Sequence, residues 1–234
     1  MARRLGLPLA PVLPVDLCPL PGPLYAVLMG YKEAPVQEAR VRFASLIRDD
    51  FAAFFGRHLA CLEAALGGPV DLAVPVPSTS RRGGAPMARV GGLAELIGSL
   101  GPATRWSPAA LVRAAGPVGH MHPNRDAFAV AEVAGGTVRG ARVLVLDDTY
   151  VSGARAQSAA AALRKAGARS TLIVPLGRVL RPDRSAGHAA FLAGRPDARP
   201  GAADRCARCV LPRPVASPAA AVGHRRFGDG RSPG

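Results

Sequence analysis

The sequence predicts an α/β domain with a central, mostly parallel sheet flanked by helices and a helical N-terminal hood. Three observations predict it. Two short apolar runs, residues 70–77 and 141–146, each give way to a small-residue loop and then to a helix-forming stretch. The second unit continues into a further apolar run at 171–176, and a strand, helix, strand succession joins parallel neighbours by a right-handed crossover. A long stripe of apolar residues at helical spacing precedes both units.

In chain order, residues 1–23 are rich in proline without periodicity and are expected to form an irregular leader, with ordered structure beginning near Leu24. Over 36–66 the apolar positions Phe43, Ile47, Phe51, Phe54, Phe55, Leu59, Leu62 and Leu66 fall three or four apart, and Gly67-Gly68 ends that helix. The valine-rich run 70–77, bounded by prolines, suits a buried strand running out into the loop 78–84. A second helix is expected over 87–100, weakened by Gly91-Gly92. Residues 109–115 suggest another strand and 116–125 a loop. Ala141-Arg-Val-Leu-Val-Leu146 is the clearest buried strand; the alanine-rich stretch 156–166 with Gly167 behind it reads as a helix, and 171–176 as the next strand. From Arg181 to 234, arginine and proline recur without an apolar period, which predicts a disordered basic tail and a domain spanning 24–180.

The 234 residues carry 23 prolines, 27 glycines and a formal net charge of +14. That charge favours anionic partners, namely phosphates, nucleic acid or an acidic surface. No run of about 18 apolar residues occurs, so a membrane-spanning helix is excluded, and Pro8, Pro11 and Pro14 interrupt the apolar stretch a signal peptide needs. A cytoplasmic location is expected. Cys18, Cys61, Cys206 and Cys209 are too few and too scattered for a disulfide framework.

Chemistry concentrates where the strand 141–146 ends. Asp147 and Asp148 are followed by the small-residue turn Thr149-Tyr-Val-Ser-Gly-Ala154 and then a helix, the place where open α/β sheets bind ligands. A helix N-terminus behind such a turn presents backbone N–H groups that suit a phosphate, with Gly153 allowing close approach and Ser152 adding a hydroxyl. Two carboxylates are poor phosphate ligands but good acceptors for vicinal sugar hydroxyls. Together these groups describe a ribose 5-phosphate.

The run Val143 to Arg155 resembles the signature of type I phosphoribosyltransferases that binds 5-phosphoribosyl-1-pyrophosphate (PRPP): an apolar strand, two acidic residues, then small and hydroxyl residues around a glycine. The resemblance implies that Asp147 and Asp148 hold the ribose hydroxyls, and that Thr149, Tyr150, Val151, Ser152, Gly153, Ala154 and Arg155 cradle the 5-phosphate. The chain departs from the family in having Val151 where a hydroxyl is usual and Arg155 where threonine or serine is common. Over about residues 24–180 the order of elements is similar to the ComF-like branch. Leu24 to Lys32 resembles its leucine, tyrosine and lysine opening, and Val74-Pro-Val-Pro77 its strand end. The branch's N-terminal zinc module and its Arg-Gly-Phe-Asn sequence are missing. By the same resemblance Ser78, Thr79, Ser80, Arg81 and Arg82 would contact pyrophosphate, and Asn124 to Phe128 would follow a mobile loop carrying His120, His122 and Arg125. The reaction implied is transfer of a phosphoribosyl group to a nitrogen nucleophile with release of pyrophosphate, Mg2+ arriving with PRPP. No catalytic residue and no acceptor is identified.

Other readings stand beside this one. A PRPP-binding regulatory protein without turnover is motivated by the departures at Val151 and Arg155, and ComF-like association with DNA uptake by the basic tail as a nucleic-acid contact. Against a stacking platform for single strands, Phe227 is the tail's one aromatic residue after Arg195. Cys206-Ala-Arg-Cys209 has the spacing of half a zinc site; a complete site needs about four ligands, which pairing of two chains would supply.

Overall fold

The computed structural model describes residues 1–78, 84–117, 121–194 and 206. A short helix α1 (Ala2–Leu5) leads into strand β1 (Asp16–Pro19), then helices α2 (Pro23–Glu33) and α3 (Gln37–Leu66). Strand β2 (Leu72–Pro75), a 3-10 turn at Pro86–Arg89 and helix α4 (Leu93–Gly98) follow. The middle of the chain holds β3 (Arg105–Trp106), β4 (Leu111–Arg113), β5 (Phe128–Val130) and α5 (Gly135–Val138). The unit β6 (Arg142–Tyr150), α6 (Ala154–Lys165) and β7 (Ser170–Leu180) comes next, then α7 (Ala186–Ala193).

Five strands form one parallel sheet in the order β1-β7-β6-β2-β3, and β4 with β5 makes a separate antiparallel pair. The fold is thus α/β, with a parallel sheet flanked by helices in the Rossmann-like manner. Alternation along the strands divides the core in two. Leu144 and Leu146 of β6 join Phe51, Phe54 and Leu62 of α3 on one face, and Val143 and Val145 join Ala159, Ala160 and Leu163 of α6 on the other. Both faces being covered, the strands read as continuous apolar runs. The same alternation carries on past the core, so Asp147 faces the α6 side and Asp148 the α2 and α3 side.

Four expectations change. The leader 1–23 is part of the domain: β1 pairs with β7 in register from Asp16 opposite Gly177 to Pro19 opposite Leu180, and Leu13 and Val15 donate backbone hydrogen bonds to Ile173 and Pro175 at 2.9 Å each. Its prolines are tolerated because β1 is an edge strand with a ladder on one side only. The helix expected over 87–100 is split, since Gly92 adopts φ 76° and restarts it as α4. Nor does β6 end at Leu146. It runs through both aspartates to Tyr150, because β7 is long enough to pair with it as far as Tyr150 opposite Arg178. Past Leu180, where irregular chain was expected, α7 forms, with Ser185 accepting from the His188 N–H as its N-cap at 3.3 Å. No helix among the described residues is long and apolar enough to cross a membrane.

Candidate anion-binding site

The site arises from unequal strand lengths. β2 pairs with β6 only as far as Pro75 opposite Leu146, and the last bond on that side runs from the Val76 N–H to the Leu146 carbonyl at 2.8 Å. Beyond it Asp147 and Asp148 keep β7 on one side and, among the described residues, have no strand on the other. A cleft of about 920 Å³ lies at this carboxyl end of the sheet. α2, the first turns of α3, Ser78, the Pro86–Arg89 turn and Arg155 line it. The lining holds five cations, Lys32, Arg40, Arg48, Arg89 and Arg155, against one carboxylate, Glu33.

Asp147 and Asp148 do not line the cleft themselves; they lie behind it, joined to its lining through Lys32 and Arg155. Both are almost fully buried. Asp148 Oδ2 accepts from the Tyr31 hydroxyl and lies 2.7 Å from Lys32 Nζ, while its Oδ1 accepts from Thr149 Oγ1 at 2.7 Å. Asp147 Oδ1 accepts from Arg155 Nη2 at 2.9 Å, and the same guanidinium stands 3.7 Å from Asp148 Oδ1. Arg155 Nε is buried without a hydrogen-bond partner. Two acids and two cations therefore form one compact ionic cluster joining α2, β6 and α6.

The electrostatics separate the two carboxyls. Burial pushes Asp147 up to about 6, against the pull of Arg155. Burial acts on Asp148 in the same direction, but Lys32, Arg155 and the Tyr31 hydrogen bond overcome it and hold that carboxyl below its usual range. Burial and the Asp148 charge raise the Tyr31 phenol, which stays a donor. The Asp147 charge, ahead of Asp148, raises Arg155 and keeps it a cation. Asp148 is thus the firmly ionised member and Asp147 the one that takes up a proton first.

The turn after β6 is built as its residue types require. Gly153 is the N-cap of α6 with φ 79°, and a Cβ there would overlap the Tyr150 ring, so glycine is needed on both counts. Ser152 Oγ accepts from the Ala154 N–H at 3.3 Å. Arg178 lies over the Tyr150 ring, 4.9 Å from its centroid, and donates to the Val151 carbonyl at 2.9 Å. Of the segment 149–155, Arg155 alone lines the cleft. The other six residues make up the strand end, turn and helix start and do not line it.

The remaining sequence candidates divide. Ser78 lines the cleft, its N–H bonded to the Gly84 carbonyl at 2.7 Å, whereas Thr79, Ser80, Arg81 and Arg82 lie outside the described residues. His120 is outside them too. His122 and Arg125 are exposed and do not line the cleft; the neighbouring Asn124 N–H donates to Ser158 Oγ of α6 at 2.9 Å, which ties this segment to α6. Sequence reasoning had Tyr31 and Lys32 only as landmarks and had no role for Arg40, Arg48 and Arg89. Their spacing on α2, α3 and the Pro86–Arg89 turn carries no sign of the cleft they meet.

Neither a protein-family model nor a curated protein matches this chain.

Proposed function

We propose that the chain is a PRPP-binding, phosphoribosyltransferase-like protein of the type I class. The observation that carries the reading is the buried acidic pair on a strand, turn and helix, held by Lys32 and Arg155, which also belong to a cleft lining with five cations. In this reading the β6 to α6 turn receives the 5-phosphate on backbone N–H groups, the ribose hydroxyls take partner positions on Asp147 and Asp148, and pyrophosphate lies among the cleft cations. With Glu33 the only carboxylate of the lining among the described residues, Mg2+ would be held mainly by pyrophosphate and sugar oxygens, in keeping with its preference for substrate phosphates. The protein's share in transfer to a nitrogen nucleophile is then positioning and stabilisation of the departing pyrophosphate's charge.

A second reading, binding without turnover, is favoured by one observation. Arg155 stands where the motif usually has threonine or serine, and its guanidinium is paired with the same carboxylates that would take the ribose. Calorimetry with PRPP and Mg2+ tests the shared part: binding is expected in the wild type and lost in Asp147→Asn/Asp148→Asn. No heat of binding, or equal affinity in that double variant, would remove the site. Pyrophosphate release across a panel of bases and ammonia then separates the two readings.

A further inference from the structure

A second cluster of chemical groups lies away from the cleft. His58 and Cys61 stand three apart on the second half of α3, so both project from one side of the helix. Cys206 packs against that side, nearly fully buried in the core cluster that contains Phe54, Phe55 and Leu62. His58 is likewise 3% exposed, its ring 5.0 Å from that of Phe54. One donor atom from each of His58, Cys61 and Cys206 lies within 4.8 Å of the others. Cys206 comes from a sequence position more than a hundred residues beyond the other two.

We propose that His58, Cys61 and Cys206 bind a structural zinc ion that fastens the C-terminal segment to α3. Two thiolates and an imidazole are the donors that Zn2+ prefers, and hard cations such as Mg2+ and Ca2+ avoid. With Zn–S near 2.3 Å and Zn–N near 2.0 Å, tetrahedral geometry needs donor separations of roughly 3.4–3.8 Å. The 4.8 Å limit here is closed by side-chain adjustments on the order of 1 Å. The spacing Cys206-Ala-Arg-Cys209 supplies a further thiol in the sequence; Cys209 is outside the described residues, so the three described donors carry the proposal. His58 lies ten positions beyond Arg48, the last cleft residue on α3, a rise of about 15 Å along the helix. The zinc site is therefore separate from the anion cleft, and its occupancy is independent of the PRPP reading.

The test is metal analysis of the full chain purified under reducing conditions without chelator. About one zinc per chain is expected, falling to background in Cys61→Ser/Cys206→Ser and strongly reduced in His58→Asn. Should those variants fail to fold, Co2+ added to metal-free wild-type protein gives a second readout: intense tetrahedral d–d bands with thiolate-to-cobalt charge transfer in the near ultraviolet. Folded wild-type protein that takes up neither zinc nor cobalt overturns the proposal. So does zinc retained at full occupancy in the double cysteine variant, or a Cys61–Cys206 disulfide found by mass spectrometry in protein that stays metal-free after reduction and zinc addition.

Discussion

Replacing Arg155 by threonine, the residue type usual at this place in the motif, isolates what the guanidinium does for the acidic pair. Asp147 loses the cation that donates a hydrogen bond to it, and Asp148 loses a second cation at 3.7 Å while keeping Lys32 and Tyr31. A stranded buried charge would cost about 3–5 kcal/mol. Asp147 has an escape, because it can bind a proton. With its carboxyl near 6 in the wild type, protonation at pH 7 costs on the order of 1 kcal/mol, and once neutral it has little use for the guanidinium. Weakening of the Asp148 pair adds about 0.5–1 kcal/mol, giving a loss of about 2 kcal/mol at pH 7. The pH dependence follows in sign. A carboxyl whose folded pKa lies above its unfolded value near 4 favours the fold below that value, and forfeits the benefit as pH rises through about 6. Arg155 offsets that forfeit only where Asp147 is ionised. At pH 5 the wild-type Asp147 is already mostly neutral, so the loss shrinks to about 0.5–1 kcal/mol. Urea unfolding of both proteins at pH 5 and pH 7 reads the difference. An equal loss at both pH values, or a loss above about 4 kcal/mol at pH 7, would refute the escape by protonation.

Two further outcomes are expected of the same cluster. Tyr31→Phe removes the hydroxyl that donates to Asp148 and should cost about 1–3 kcal/mol. Because the folded pKa of Asp148 is depressed, its contribution is present above the unfolded value and lost as pH falls through the folded one. The variant's acid-unfolding midpoint, followed by circular dichroism, should therefore move to higher pH, and an unmoved midpoint would count against the Tyr31 contact. Gly153→Ala forces a side chain into a left-handed position occupied by the Tyr150 ring, which should cost about 1–3 kcal/mol and weaken PRPP binding in calorimetry. Unchanged stability and affinity there would mean the turn is not held as described.

The cysteines show how legibility depends on distance along the chain. Cys206-Ala-Arg-Cys209 has the spacing of half a zinc site, whereas the sequence marks no role for His58 and shows Cys61 only as one of four scattered cysteines. Only the packing of Cys206 against α3 joins the two. The leader was misread for a related reason: proline density argues against helices and central strands, but an edge strand needs only one ladder, and whether a segment is at an edge is decided by its neighbours.

By itself the sequence determined the elements whose signal is local. The apolar run into β6, the alanine-rich α6, the long stripe of α3 and the place of Asp147 and Asp148 before a glycine turn all follow from periodicity and turn chemistry. Tertiary structure decided what those aspartates meet. Asp148 receives Tyr31 from 117 residues earlier, and β6 reaches past the pair because β7 is long while β2 stops at Pro75. Ion pairing and strand length of this kind are set by through-space distance and by the partner strand's end, and neither quantity is written in the neighbouring residues.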